Sequence, residues 1–352
     1  MAHDHDIAVI PGDGIGPAVV DAALPVVRAA ADETGVGIDT TRYDWGTERY
    51  RETDAFMPDD GLERLATHDG VLLGAVGHPD VPDHVTLHGL LLPIRKGFDH
   101  GVCERPTRLF DGIEPPLRGY DGGEIDFTVF RENTEGEYAD VGGREHVGLE
   151  NDVAVQSAVF TRRGTERVVR AAFEAAAARD GRLTNVTKSN AQAHGMVFWD
   201  TIVAEVSEEY PGVETERLLV DAAAMDLVRR PEAFDVLVAS NLFGDVLTDL
   251  AAAVTGSLGL APSANVDPSG DHPPMCEPVH GSAPDIVGEG VANPLGTVLA
   301  TAMLMDELET PSVGDALRMA VAEQLRVGGP RTPDVGGDAG TERVASDLRD
   351  RI

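Results

Sequence analysis

Short apolar runs alternate along the chain with longer stretches in which apolar residues recur at helical spacing. The runs of strand type are Ile7–Ile10, Gly70–Gly77, Ile125–Phe130 and Phe234–Ala239. The helical patterns extend from Pro17 to about Glu33, from Thr165 to Ala178 and from Gly296 to Glu307. Strands that alternate with helices predict an α/β fold, in which helices pack on a sheet.

Three polar, glycine-rich segments interrupt this pattern and are predicted to be loops. They are Gly136–Asn151, Pro262–Pro274 and Gly328–Gly340. None has the composition of a flexible linker, so we expect any two domains to be tightly joined or to share the chain twice. No apolar run approaches the ~18 residues of a membrane span, and the N-terminal residues lack the basic and apolar regions of a signal peptide. We therefore expect no membrane association.

Composition adds a strong charge imbalance. The 352 residues include 61 acidic and 28 basic side chains, and the formal net charge of −33 argues against a nucleic-acid partner. Only two of the basic residues are lysines, Lys96 and Lys188. Because salt screens repulsion between acidic side chains, this composition favours a protein from a halophile over an ordinary acidic protein.

The two cysteines, Cys103 and Cys276, do not form a disulfide framework. Free thiols are typical of a reducing compartment. We therefore expect the protein to be cytoplasmic.

A glycine-rich turn, Pro11–Gly16 (PGDGIG), follows the first strand and opens the first helix. A turn of this kind can bind an anion at the helix N-terminus. It is not GxGxxG, however, and no acidic residue lies at the offset expected for a ribose partner. The residues therefore favour a tight turn over a dinucleotide fingerprint.

Three arginines, Arg95, Arg105 and Arg131, each lie at the edge of an apolar segment. A guanidinium group binds a carboxylate through two parallel hydrogen bonds, so three of them could bind a dicarboxylate. Taken one by one, each is more typical of a surface arginine.

Asp245 and Asp249 are four residues apart in a helical pattern and therefore lie on one face of it. Two such carboxylates repel each other unless a cation lies between them, and a hard divalent cation with oxygen ligands is suited to that position. The alternative is a solvated acidic face. The apolar neighbours Leu242, Phe243, Val246 and Leu247 count against that alternative because they indicate burial.

The segment Glu277–Ile286 (EPVHGSAPDI) has two prolines, a glycine and a histidine and is predicted to be a loop. Its backbone and His280 could contact a nucleotide. Asp285 could accept hydrogen bonds from ribose hydroxyls and repel a 2′-phosphate. A rigid surface loop is an equally good interpretation of these residues.

Eleven segments in order resemble the isocitrate/isopropylmalate dehydrogenase family, nearly from end to end. They are IAVIPGDGIGP, LLGAVGHP, LLLPIRKGFD, RENTEGEY, FTRRGTERV, VTKSN, VDAAAMDLV, SNLFGDVLTDL, GSLGLAPSAN, EPVHGSAPDI and ANPLGT. Many motifs in the right order are far more specific than any single pattern. The resemblance implies an NAD-dependent β-decarboxylating dehydrogenase that acts on a small 2-hydroxy dicarboxylate.

Family roles carry over to matching positions of this chain. Substrate-binding positions fall on Leu91, Arg95, Arg105 and Arg131. Tyr138 takes the place of the acid that protonates the product enolate, and Lys188 that of the general base. Asp221, Asp245 and Asp249 take the places of the aspartates that bind Mg²⁺ or Mn²⁺. K⁺ stays open as a further cofactor.

The resemblance also implies a shared active site and an isopropylmalate-dehydrogenase-like two-domain fold with a mixed sheet, unlike a Rossmann fold. In a homodimer, Lys188 and Asp221 would reach in from the second subunit. Residues 1–101 and 256–352 would form a nucleotide-binding large domain, and residues 102–255 the substrate, metal and dimerisation domain. The implied nucleotide-binding residues are His280, Gly281, Ser282, Ala283, Pro284, Asp285, Ile286 and Asn293.

Four motifs look most like the tartrate/D-malate branch of the family, which predicts oxidation of D-malate or a tartrate: RENTEGEYADVGGRE, QSAVFTRRG, SNLFGDVLTDL and TPDVGG. VDAAAMDLV and TGSLGLAPSAN fit isopropylmalate dehydrogenases equally well, so 3-isopropylmalate is the alternative substrate. Leu91 and Leu92 disfavour isocitrate, because its extra carboxylate would be poorly solvated against them.

Two residues depart from the family pattern. Glu104 replaces the usual Asn before Arg105-Pro106, where its carboxylate could pair with Arg95 or Arg105 or point to solvent. His88 occupies a position near the nicotinamide where the isopropylmalate branch has Glu. A different class of function, that of a catalytically silent regulatory subunit, would require that catalytic residues be lost. All the catalytic residues implied by the resemblance are present.

Overall fold

The structure, a computed structural model, describes residues 4–352. The strands are β1 (Asp4–Gly12), β2 (Gly37–Arg42), β3 (Gly70–Ala75), β4 (Val102–Arg108), β5 (Asp126–Glu132), β6 (Gly136–Glu145), β7 (Val153–Val159), β8 (Arg182–Thr187), β9 (Glu214–Leu219), β10 (Val236–Ala239), β11 (Pro262–Val266) and β12 (Met275–Pro278). The α-helices are α1 (Gly16–Thr34), α2 (Thr47–Thr53), α3 (Gly61–Leu65), α4 (Asp83–Thr86), α5 (Leu92–Gly97), α6 (Arg162–Ala178), α7 (Gly195–Ser207), α8 (Val220–Arg229), α9 (Asn241–Val254), α10 (Leu295–Glu307), α11 (Pro311–Arg326) and α12 (Thr341–Arg349).

One mixed sheet contains ten of these strands, in the order β2-β1-β3-β12-β11-β4-β5-β10-β8-β9. The outer strands run parallel, whereas β11 is antiparallel to both β12 and β4, and β4 is antiparallel to β5. A Rossmann sheet is mostly parallel with a different strand order. The α/β prediction and the mixed sheet are therefore both confirmed.

The two halves of this sheet come from different parts of the chain. Strands β2, β1, β3, β12 and β11 lie on one side, and β4, β5, β10, β8 and β9 on the other. These two groups of strands follow the domain division predicted at residues 101 and 255. The division into domains stays a prediction. Residues 1–3 of the first predicted domain lie outside the described range. Helix α10 is buried along nearly its whole length, from Leu295 to Met305, and packs on β11 and β12.

Two of the predicted loops are wrong in part. Residues 136–151 include β6, which forms a hairpin with β7, and residues 262–274 begin with β11. The hairpin is exposed beyond its base, so no buried face imposes an apolar alternation on its sequence. In β11 the buried side chains of Ser263 and Asn265 are polar, which hides the strand from a hydrophobic pattern. Among the described residues, no helix has both the length and the apolarity to cross a membrane.

Candidate functional site

The central strands place two arginines on one face of the sheet. β4 and β5 are antiparallel neighbours in which Cys103 lies opposite Arg131. Arg105 is two residues from Cys103, so it shares that face. Helix α9 crosses this face so closely that a Cβ on Gly244 would lie 2.7 Å from the Cβ of Arg131. Glycine at this position lets α9 bring its first turns against both guanidinium groups.

Asp245, in the second turn of α9, is the centre of a charged cluster. Its carboxylate accepts hydrogen bonds from Arg131 Nη1, from Arg105 Nη1 at 3.4 Å and from the Tyr138 hydroxyl at 2.7 Å. Burial opposes ionisation of Asp245, but the nearby Arg131 and Arg105 outweigh it and hold the pKa of this carboxyl below its usual value. A carboxylate that stays ionised beside three donors is suited to bind a cation and to orient a substrate.

Arg95 reaches the same cluster from α5. Its Nη2 donates to Glu277 Oε1 at 2.5 Å, and its charge helps to lower the pKa of Asp245. The Nε of this buried guanidinium has no hydrogen-bond partner within residues 4–352. An unpaired buried N–H costs free energy, and a ligand carboxylate would satisfy it.

Tyr138 follows β5 through a tight turn and carries the one phenol in the cluster that donates to Asp245. Burial, together with the charge of Asp245, raises the pKa of this phenol above its usual value. The Arg131 guanidinium lies over its ring, 5.4 Å from the centroid. Tyr138 therefore keeps its proton near neutral pH, as an acid catalyst must.

The predicted metal ligands and base divide into two groups within one chain. Asp249 lies one helical turn beyond Asp245, and its carboxylate has neither an ion pair nor a hydrogen bond to any described residue. Lys188 instead donates to Asp221, in the first turn of α8, at 2.5 Å, and this hydrogen bond lowers the pKa of Asp221. Nowhere in residues 4–352 does one chain bring three His, Cys, Asp or Glu side chains together to hold a metal.

The loop after β12 borders a cavity of about 380 Å³. The predicted nucleotide-binding residues that line it are His280, Gly281, Ala283, Ile286 and Asn293. His280 Nε2 is buried and has no partner in the described part of the chain, and burial lowers the pKa of this imidazole. A neutral ring with a free nitrogen beside apolar walls is suited to a nucleobase.

The remaining predicted nucleotide-binding residues lie on the other side of this loop. Ser282 and Pro284 line a neighbouring cavity of about 680 Å³, and Asp285 is exposed. Gly14 of the PGDGIG turn has φ +59° and lies so close to the loop that a Cβ there would be 2.1 Å from the Ser282 carbonyl oxygen. The tight-turn interpretation of PGDGIG is therefore confirmed.

Several residues of the site carry no signal in the sequence pattern. Thr248 Oγ1 accepts from Arg105 Nη1 at 2.6 Å, and Ser263 lies 3.5 Å from Arg105 Nε. Asp334 accepts from Asn293 Nδ2 at 3.0 Å beside the smaller cavity. Thr248 lies on α9, Ser263 on β11 and Asp334 in the segment that follows α11, so only the packing of these elements brings each residue to its partner.

Glu104 pairs with neither Arg95 nor Arg105, and it is only partly exposed. Because side chains alternate along β4, its carboxyl lies on the opposite face of the sheet from Arg105. There its charged neighbours are Glu307, Arg179 and Arg318. Burial and the like charge of Glu307 raise the pKa of Glu104 to about 7. Of the two alternatives for Glu104, the one in which it pairs with Arg95 or Arg105 is therefore wrong.

This raised pKa predicts a pH-dependent stability. A carboxyl whose pKa rises from 4.5 to about 7 on folding stabilises the fold below pH 4.5, and the stabilisation is lost as pH rises through 7. Glu104→Gln should therefore raise the free energy of unfolding at pH 8 by up to roughly 3 kcal/mol and leave it unchanged near pH 4. Urea unfolding at both pH values checks this, with exposed Glu63→Gln as the control. Equal effects of Glu104→Gln at the two pH values would contradict it.

The residues predicted to determine the substrate lie on and beside α5. Leu92 is buried, and Leu91 is partly buried against the core formed by Trp45, Phe56 and their neighbours. His88 is exposed, with Nδ1 3.8 Å from Asp140 of the hairpin. A contact of Leu91 or His88 with substrate stays a prediction.

Comparison with known proteins matches residues 6–352 to the family described as isocitrate/isopropylmalate dehydrogenase. A probable tartrate dehydrogenase/decarboxylase of Agrobacterium vitis is 48% identical over 99% of this chain and 98% of its own length. The D-malate dehydrogenase (decarboxylating) of Escherichia coli is 46% identical over 96% of both chains. A 3-isopropylmalate dehydrogenase of Thermobifida fusca is 47% identical over 98% of this chain and 97% of its own.

Among solved structures, isocitrate dehydrogenase from Methylococcus capsulatus superposes with a TM-score of 0.90 at 34% identity, covering 99% of each chain. Sequence and fold therefore agree over almost the whole length. The chain belongs to the isocitrate/isopropylmalate dehydrogenase family.

Proposed function

We propose that this chain oxidises D-malate or a tartrate with NAD and a divalent metal, and that D-malate is converted to pyruvate and CO₂. The chain is a β-decarboxylating dehydrogenase of its family. The observation that carries the substrate class is the convergence of Arg95, Arg105 and Arg131 on one buried cluster beside Tyr138. Three guanidinium groups with a free buried N–H are suited to a small dicarboxylate.

The arginines would hold and orient the two substrate carboxylates. Lys188 of the second subunit would accept the proton of the substrate hydroxyl as hydride leaves C2 for NAD. Tyr138 would then donate its proton to the carbon that loses CO₂. Its raised pKa supports this order, because the phenol stays protonated until a strong base forms beside it.

A divalent metal would be held by Asp245, Asp249 and Asp221 of the partner subunit. Asp249 fits this role because its carboxylate is unpaired in the described chain, and Asp245 is ionised. The metal, Mg²⁺ or Mn²⁺, would acidify the substrate hydroxyl and withdraw electrons from the new ketone during decarboxylation.

A homodimer would complete this site. Lys188 and Asp221 pair with each other, apart from the Asp245 cluster, so both are available to a neighbouring subunit. Large apolar side chains are exposed on the hairpin and on the α8–α9 pair, a surface suited to a second copy. They are Val141, Val147, Leu149, Val153, Val155, Met225, Val228 and Val246. Burying them would gain about 25 cal/mol for each Å² of apolar surface removed from water.

NAD rather than NADP is the cofactor that Asp285 favours. Its exposed carboxylate opposes a 2′-phosphate, and its oxygens suit free ribose hydroxyls. Asp285→Lys should therefore shift the ratio of kcat/KM values toward NADP by roughly tenfold, or about 1.4 kcal/mol of transition-state binding. Exposed Asp32→Lys, at the far end of α1, is the charge-matched control. Comparable kcat/KM for NAD and NADP in the unaltered protein would refute this assignment.

A substrate panel tests the proposed branch. D-malate, meso- and L-tartrate, 3-isopropylmalate and isocitrate would be compared with NAD and Mn²⁺ in molar KCl, where an acidic cytoplasmic enzyme of a halophile should be most active. We expect D-malate or a tartrate to give the highest kcat/KM. Isopropylmalate is the second candidate, since its isopropyl group would gain ~2 kcal/mol from burial against Leu91. A more than tenfold advantage for isopropylmalate would overturn the branch and leave the family unchanged.

A further inference from the structure

Arg131 is a buried cation in a cluster of like charges. Its side chain is only 2% exposed, and burial together with the nearby Arg105 and Arg95 lowers its pKa. Its Nη1 donates to Asp245, which leaves Nε and Nη2 to be satisfied elsewhere. Because a buried guanidinium needs partners for its donors, the group that accepts hydrogen bonds from Nε and Nη2 determines how Arg131 is oriented.

That group is the side-chain amide of Asn241, the first residue of α9. Its Oδ1 accepts from Arg131 Nε at 3.0 Å and from Nη2 at 2.7 Å. Its Nδ2 donates to the carbonyl oxygen of Glu135 at 3.0 Å, in the turn that leads to Tyr138. Asn241 is 1% exposed, so both ends of the amide are fixed without competition from bulk water.

The chemical nature of this partner matters as much as its position. A carboxylate would also accept from Nε and Nη2, with stronger hydrogen bonds, but it would neutralise Arg131. An amide accepts the same two hydrogen bonds and leaves the positive charge for another anion. Asp245 and Glu277 already offset part of the charge of the arginines, so a further fixed carboxylate would weaken their attraction for a dianion.

We propose that Asn241 is a positioning residue for substrate binding: it orients Arg131 through a neutral acceptor, ties it to the turn before Tyr138, and so preserves the positive charge that binds a dicarboxylate. This inference rests on the proposed function. It adds a residue that determines substrate affinity without contacting the reacting atoms.

The test replaces Asn241 by Asp and measures kinetics and thermal stability together. Asn241→Asp should raise the KM for the best 2-hydroxy dicarboxylate at least tenfold, with kcat within about threefold and the KM for NAD within about twofold. Tm should fall, because the oxygen that replaces Nδ2 cannot donate to the Glu135 carbonyl. Asn185→Asp is the matched control, because Asn185 is also buried. Its side-chain amide forms hydrogen bonds with Trp199 and Asp200, outside the arginine cluster. That control should leave the substrate KM unchanged.

Asn241→Ser removes the three hydrogen bonds of the amide without adding charge and should raise the substrate KM less than Asn241→Asp does. If Asn241→Asp does not fold, a threefold or greater rise in KM for Asn241→Ser supports the proposal and an unchanged KM overturns it. A substrate KM that is unchanged in folded Asn241→Asp, or raised equally in Asn185→Asp, also overturns it. Failure of the unaltered protein to turn over any dicarboxylate would instead refute the proposed function.

Discussion

Replacing Lys188 by methionine is expected to lower kcat by roughly 10²- to 10⁴-fold, the usual contribution of a positioned general base. Methionine keeps the length of the side chain and removes its titratable nitrogen. The chain offers a close control, because Lys96 is the only other lysine and is exposed on α5. Lys96→Met should leave kcat unchanged, and near-normal kcat in Lys188→Met would show that another group is the base.

The same variant tests whether the site is shared. Coexpression of Lys188→Met with Asp245→Asn yields mixed dimers in which one site keeps Asp245 from one chain and Lys188 from the other. With random pairing, about a quarter of the normal activity should return, although each variant alone is inactive. If each site lay within one chain, every mixed site would carry one defect and no activity would return.

Removal of the metal should have the second large effect. Exhaustive chelation should abolish turnover, and Mg²⁺ or Mn²⁺ should restore it, because the proposed metal would acidify the hydroxyl and stabilise the charge that forms on decarboxylation. Asp249→Asn should raise the Mn²⁺ concentration for half-maximal activity by at least tenfold. The unpaired state of the Asp249 carboxylate means that this variant should fold normally. Exposed Asp39→Asn is the control, and full activity after chelation would contradict the metal assignment.

The parts of the fold that were predicted from sequence are those in which burial dictates residue type. Strand β3 is buried at every position, and α10 is buried along nearly its whole length, so apolar runs predicted both. The hairpin of β6 and β7 was missed because exposed strands need no apolar alternation. Local pattern therefore predicts the core better than the elements that extend from it.

The site shows a similar division. Asp245 and Asp249 were predicted because their four-residue spacing within a helix has a direct geometric meaning. Asn241 and Ser263 were not, since an isolated amide or hydroxyl has no spacing to interpret. Their roles depend on the register of β4, β5 and β11. This register places Arg105 beside Ser263 and Arg131 beside Asn241.

This chain is proposed to couple oxidation of a malate-type hydroxy acid to loss of its β-carboxylate. The most direct test is to incubate the pure protein with D-malate, NAD and Mn²⁺ in molar KCl and to measure pyruvate, CO₂ and NADH together. We expect one molecule each of pyruvate, CO₂ and NADH for every molecule of D-malate consumed. NADH without CO₂, or no NADH from any 2-hydroxy dicarboxylate of the panel, would contradict it.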